Sequence, residues 1–214
     1  MTVLLLIRHG LTDTTGKRLP GWAPGLHLSE RGRDQAEALP ERLAGVPIKG
    51  IYTSSLERCR ETGAPLAKAR GLTPVLRNDL RDSNPGDWTG RPLAQLARTK
   101  IWRTVQVAPS RFRFPGGESI PEVQVRAAAE AEQIAAAHPR DVVAVFSHAD
   151  PIKLIVAHFL GLPLDLFQRV AIEPASVTAI ALGHGPVPRL LRLNDTGSLA
   201  DLAPRRPPRT KVRG

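Results

Sequence analysis

Two short apolar runs constrain this chain more than any other feature. Val3–Ile7 breaks off into Arg8-His9-Gly10, and Val142–Phe146 passes through Ser147 into His148-Ala149-Asp150. Both runs are apolar and rich in β-branched residues, too short for helices, and they read as buried strands. Elements of helical character alternate with such strands along the chain. That alternation predicts an α/β fold with a mostly parallel central sheet. In open α/β sheets, ligand sites lie beyond the carboxyl ends of the strands. If the two strands are parallel neighbours, His9 and His148 emerge side by side. One histidine at a strand end is commonly a structural residue; two, with Arg8 beside them, point to chemistry. Gly10 is expected to let the backbone turn close to a ligand.

The remaining elements follow from caps and breakers. Residues 11–28 read as a loop with Gly16, Pro20, Gly21, Pro24 and Gly25. Ser29 is placed to cap a helix running to about Leu43. "GIYTSS" predicts a further short strand, followed by a helix from Leu56 to about Ala69 that ends at Gly71. The first turn of that helix carries Arg58, a candidate phosphate ligand because it stands just past a strand end. A short strand at 73–77, a Gly/Pro-rich loop to Pro92 and a helix over Leu93–Arg103 come next. An irregular stretch then leads into an alanine-rich helix from about Pro121 to His138. Beyond the second histidine strand, a helix from Pro151 to Leu160 and a closing pair of strands complete the pattern.

Composition narrows the function classes. With 214 residues, 42% of them hydrophobic, the chain suits one domain, expected over residues 1–203. No apolar run approaches the ~18 residues of a membrane span. The first residues lack the basic segment and small-residue cleavage site of a secretory signal. A single cysteine, Cys59, gives no internal disulfide framework and fits a reducing compartment, so a cytoplasmic protein is expected. Of the net charge of +10, five charges sit in the last eleven residues, which leaves +5 for the rest. Residues 204–214 are basic and broken by Pro204, Pro207 and Pro208, and are expected to be a disordered, solvated tail. Aromatic residues make up 4% of the chain and do not interleave with the basic ones, which argues against a nucleic-acid partner.

Two histidines could instead hold a metal. Such a site needs three or four ligands, typically with a short local pair. His148 and His158 are ten residues apart, and neighbouring arginines would repel a cation. Arg8, Arg58, His9 and His148 together suit a dianionic phosphate, whose oxygens match guanidinium forks. No metal and no cofactor are therefore expected.

An ordered set of motifs now carries a resemblance. "LLLIRHGLT", "RLPG", "LHLSERGRDQA", "IYTSSLERCRET", "LRDSNPGDWTG", "PGGES", "VFSHAD" and "LNDTG" span residues 3 to about 197. In that order they are similar to the histidine phosphatase superfamily, the phosphoglycerate mutase-like group, and in particular to small bacterial members described as probable phosphomutases or phosphatases. The resemblance implies a three-layer α/β/α sandwich with the active site at the strand ends. It implies that His9 is the nucleophile and becomes a phosphohistidine, and that Arg8, Arg58 and His148 clamp the transferred phosphoryl group. Thr12, Thr15 and Gly21 fall in the phosphate- and substrate-binding loop. By its resemblance to the family's motif, the set Leu80, Asp82, Gly86, Trp88 and Gly90 implies that Asp82 is the proton donor. A small-molecule phosphomonoester is the expected partner, membranes are not, and a homodimer is among the oligomeric options.

Departures from the family pattern are specific. Asp82 stands where most members have glutamate, and Leu11 and Thr15 stand where a glutamate or glutamine and an asparagine are common. Ala149 replaces a common glycine. Asp87 and Asp150 are weaker candidates for the acid. The short stretch between Asp82 and Gly117 favours water over a second substrate as phosphoryl acceptor, hence a phosphatase. A phosphoglycerate-type mutase and a weakly active phospholigand-binding homologue stay open as alternatives. Arg91, Arg98, Lys100, Arg103, Arg111 and Arg113 could serve a further anionic group or coat a surface.

Overall fold

The computed structural model describes residues 1–183 and 187–197. Six strands form one sheet among them: β1 (Thr2–Arg8), β2 (Ile48–Ser54), β3 (Val75–Arg77), β4 (Val142–Ser147), β5 (Val177–Leu182) and β6 (Arg189–Asp195), in the spatial order β3-β2-β4-β1-β5-β6. β1, β2, β3 and β4 pair in parallel, whereas β5 pairs antiparallel with both β1 and β6. Only β5 therefore runs against the others, and the mostly parallel sheet expected from the sequence is present.

Helices α1 (Glu30–Glu37), α2 (Leu39–Arg42), α3 (Glu57–Arg70), α4 (Leu93–Leu96), α5 (Lys100–Val107), α6 (Ile120–Ala137) and α7 (Ala149–Leu160) surround it. Because side chains alternate across a strand, β1 feeds two cores. Leu4 and Leu6 pack with Ala127, Ile134 and Ile155 of α6 and α7 on one face. Leu5 and Ile7 pack with Leu39, Cys59 and Leu66 of α1–α3 on the other. Each such fully buried leucine or isoleucine contributes roughly 1.5–3 kcal/mol. The result is a three-layer α/β/α sandwich. A third cluster, with Trp88, Phe112, Phe114 and Phe167, holds the 86–114 segment against the ends of α6 and α7.

Two helices expected to be continuous are broken. The helix opened by the Ser29 cap stops at Glu37 and restarts as α2, because Pro40 has no N–H for the ladder and its ring crowds the preceding turn. The Leu93–Arg103 helix splits into α4 and α5 at Thr99, whose hydroxyl accepts from Trp102 N and caps the second piece. Two others begin earlier than expected. Ser119 and Glu122 form a reciprocal capping box that starts α6 at Ile120, and α7 starts at Ala149 with His148 at its N-cap. The basic tail at 204–214 lies outside the described residues.

Candidate active site

The register of the sheet builds the site. Arg8 at the end of β1 lies opposite Ser147 at the end of β4, and His9 N donates to Ser147 O at 3.0 Å. His9 and His148 therefore leave neighbouring parallel strands together, with ring centroids 5.2 Å apart. α3 follows β2 and brings in Arg58, which is completely buried. Thr62, one turn further on, accepts from Gly10 N at 3.0 Å and donates to Arg58 O at 2.6 Å, tying α3 to the end of β1.

Each side chain is oriented by a named partner. His9 Nδ1 donates to Gly10 O at 2.7 Å, which fixes the tautomer and leaves Nε2 with its lone pair. Among the described residues, no protein group bonds that Nε2. Burial, followed by the Arg58 and Arg8 guanidiniums, holds the His9 pKa well below its ordinary value. His148 is pushed down in the same way, by burial first and then by Arg58. Both imidazoles are accordingly neutral near pH 7. His148 Nε2 is 3.0 Å from Ser54 Oγ, and the Cys59 thiol, itself pushed up to about 12 by burial, packs 3.3 Å from the same nitrogen.

The guanidiniums are less fully used. Arg8 Nη1 donates to Ile172 O at 2.6 Å, and Arg58 Nη2 donates to Gly21 O at 2.9 Å. Arg8 Nε, Arg58 Nε and Arg58 Nη1 are buried with no hydrogen-bond partner among the described residues. A buried unpaired donor costs about 1–3 kcal/mol, a cost that a bound anion would remove. The α7 N-terminus begins at His148, so its dipole adds to the attraction for negative charge.

Of the three carboxylates in question, Asp82 joins this cluster. Its Oδ2 is 3.3 Å from Arg58 Nη2 and 3.7 Å from His148 Nδ1. Burial raises its pKa, with Arg58 opposing. Asp150 instead faces Lys153 Nζ at 3.5 Å. Asp87 is exposed and lies against the Gly116 turn.

The loop after β1 is arranged differently from expectation at two points. Thr12 is buried, but Thr15 Oγ1 is engaged with Thr12, accepting from its N at 3.0 Å and lying 2.9 Å from its hydroxyl. Thr15 thus braces the loop, and among the described residues its hydroxyl forms no hydrogen bond with the histidines or arginines of the cluster. Gly10 is needed for packing: a Cβ there would lie 2.6 Å from Gly32 O, where α1 crosses the strand end. Gly21 acts through its backbone, with φ at +52° and a Cβ position only 2.1 Å from Pro85 Cδ. All six basic residues from Arg91 to Arg113 are exposed, and none bonds to the cluster. Ser54 and Thr62 were not foreseen; the position of Ser54 at the end of a third parallel strand was the available signal.

The chain matches a family model described as the histidine phosphatase superfamily (branch 1) over residues 4–196. It is 28% identical over 190 residues to phosphoserine phosphatase 1 of Hydrogenobacter thermophilus, covering 84% of this chain and 86% of that one. It is likewise 28% identical over 189 residues to the probable phosphoglycerate mutase GpmB of Erwinia tasmaniensis, covering 87% of each. Among solved structures, a mycobacterial glucosyl-3-phosphoglycerate phosphatase complexed with VO3 superposes with a TM-score of 0.81 at 30% identity, over 90% of this chain and 98% of that chain. Bacillus stearothermophilus YhfR gives a TM-score of 0.83 at 29% identity, over 91% of this chain and 98% of that chain. This chain is a phosphatase that belongs to the histidine phosphatase superfamily.

Proposed function

We propose that the protein hydrolyses phosphomonoesters in two steps through a phosphohistidine on His9. The observation that carries this reading is the set of three buried, unpartnered guanidinium N–H groups beside a neutral imidazole whose Nε2 is free. In the first step the Nε2 lone pair attacks phosphorus, the ester P–O bond breaks, and Asp82 gives its proton to the leaving oxygen. In the second, the Asp82 carboxylate takes a proton from water, the water oxygen attacks phosphorus, and the N–P bond breaks to release phosphate and neutral His9. Arg8 and Arg58 neutralise charge on the equatorial oxygens throughout, and the neutral His148 imidazole donates a hydrogen bond to them, the task that dominates phosphoryl transfer. With two guanidiniums in that role, the reaction proceeds without a metal ion.

Hydrolysis is preferred to mutase chemistry because all six basic residues of the 91–113 segment are exposed and, among the described residues, none bonds to the cluster, so no second phosphoryl site is built there. Phosphoserine and glucosyl-3-phosphoglycerate, the substrates in the names of two similar proteins, head the panel of esters to be screened. The direct test is turnover of an aryl phosphate in EDTA by the protein and by His9→Ala. Undiminished turnover by the alanine variant rules out the covalent role. A coupled assay with 3-phosphoglycerate and bisphosphoglycerate would detect mutase activity.

A further inference from the structure

Arg126 lies on α6, outside the cluster of reacting groups, yet every one of its guanidinium N–H groups is used. Nε and one Nη2 proton hold the Glu118 carboxylate, at 2.7 and 3.0 Å. Nη1 donates to Asp79 O at 2.7 Å and to Arg81 O at 2.8 Å, and Nη2 donates to Asp82 O at 2.8 Å. Glu118 closes the other side, its Oε2 accepting from Asn84 N at 2.7 Å. From the opposite wall, Trp22 Nε1 donates to the same Asp82 carbonyl at 2.6 Å. The backbone from residue 79 to 84 is thus held by one ion pair whose side chains are mostly buried.

We infer that Arg126, fixed by Glu118, is the positioning residue that sets the reach of the Asp82 carboxyl group. This inference rests on the reading of Asp82 as the acid. An aspartate has only two side-chain torsions between Cα and its oxygens, so the place of its carboxyl group is set by its backbone. A misplacement of about 1 Å can lower a rate about 100-fold. A generic loop brace would instead depress all substrates alike. The fork geometry matters as well: lysine keeps the charge but cannot bond three carbonyls and a carboxylate at once.

The test compares leaving-group dependence in Arg126→Lys, Glu118→Gln, Asp82→Asn and the Asp82→Asn/Arg126→Lys double variant. Single-turnover release is measured with an alkyl ester, β-glycerophosphate, and with an activated one, 2,4-dinitrophenyl phosphate. A dinitrophenolate leaves without protonation, so its release does not need the acid, whereas general acid catalysis contributes about 10²–10⁴-fold to a poor leaving group. Arg126→Lys is expected to lose about 100-fold on the alkyl ester and only a few-fold on the activated one, with inorganic phosphate affinity kept. Glu118→Gln should show the same signature in smaller degree, and the double variant should be no slower than Asp82→Asn alone. If Asp82→Asn is selective for the alkyl ester but Arg126→Lys slows both esters equally, or neither, the positioning role is overturned and the acid assignment stands. If Asp82→Asn itself is not selective, both fall.

Discussion

Arg58 Nη2 and Asp82 Oδ2 face each other at 3.3 Å, one side chain wholly buried and the other about one-fifth exposed (21%). The guanidinium best placed to bind a phosphoryl group already holds the carboxylate assigned as the acid. Burial raises the Asp82 pKa, and the Arg58 charge is what restrains it. A dianion that enters and engages Arg58 would compete for that charge and add repulsion, so Asp82 is expected to take up a proton as the ligand binds.

Anion binding should therefore be linked to proton uptake. Sulfate is the suitable probe, because it stays dianionic across the pH range of interest. Calorimetry in buffers of different ionisation enthalpy should show uptake of a fraction of a proton per sulfate bound near pH 6. The uptake should fall in Asp82→Asn to the share that His9 and His148 contribute, since the same dianion offsets the guanidinium charges that depress them. Equal uptake in the variant would move the linked proton to another group.

Arg58, read as a phosphoryl ligand, is expected to serve function at the expense of stability. Arg58→Gln should lower kcat/KM for an aryl phosphate about 10²–10³-fold, as expected for loss of charge-assisted hydrogen bonds in a low-dielectric site. Its melting temperature should change by only a few degrees, because the substitution also removes two buried donors that lack partners in the ligand-free protein. Inorganic phosphate should raise the melting temperature of the parent protein and not of the variant. A large drop in melting temperature with retained kcat/KM would show that Arg58 is structural.

Acidification should destabilise the ligand-free fold. His9 and His148 have folded-state pKa values well below their ordinary value. Above about pH 6.5 both are neutral in folded and unfolded chains alike and add no pH dependence. As pH falls below that value, the unfolded chain binds protons that the folded one refuses. Stability then declines by up to about 1.4 kcal/mol per pH unit for each histidine, until the folded values are reached. Asp82 and Glu130, both raised by burial, work in the opposite sense, but in windows that open from the lower ordinary values of carboxyl groups. His27, raised at the surface by Glu61, also opposes the trend, weakened by solvent screening. Thermal melts between pH 7 and pH 5.5 should fall steadily, and His148→Asn should reduce the slope by about half. A flat profile would contradict the neutral, buried state of the pair.

The strand-end residues were legible because nothing else explains them. An arginine and histidine closing one apolar run, and a histidine closing another, have no place in a core, so the sheet rule alone brought His9, His148 and Arg58 near one another. Asp82 came from the resemblance of its motif to that of the family, and its contacts with Arg58 and His148 separate it from Asp87 and Asp150. What was not legible depends on contacts between distant segments. Ser54 meets His148 across 94 positions, Thr62 meets Gly10 across 52, and Arg126 meets Asp82 across 44. No local pattern marks such pairs. Gly10 shows the same limit: it faces the Gly32 carbonyl of α1, a neighbour set by how the helix crosses the strand. The breaks at Pro40 and Thr99 were marked in the sequence by a missing donor and a competing hydroxyl, but the apolar spacing read through them.

The covalent intermediate is the central claim, and trapping it is the direct measurement. Mixing the protein with a ³²P-labelled phosphomonoester in EDTA, quenching within milliseconds in alkali and mapping the labelled peptide should yield an acid-labile, alkali-stable phosphoryl group on His9. The label should form at least as fast as steady-state turnover, and be absent from His9→Ala. Turnover with no labelled histidine at any quench time, or label on a residue other than His9, would contradict the account.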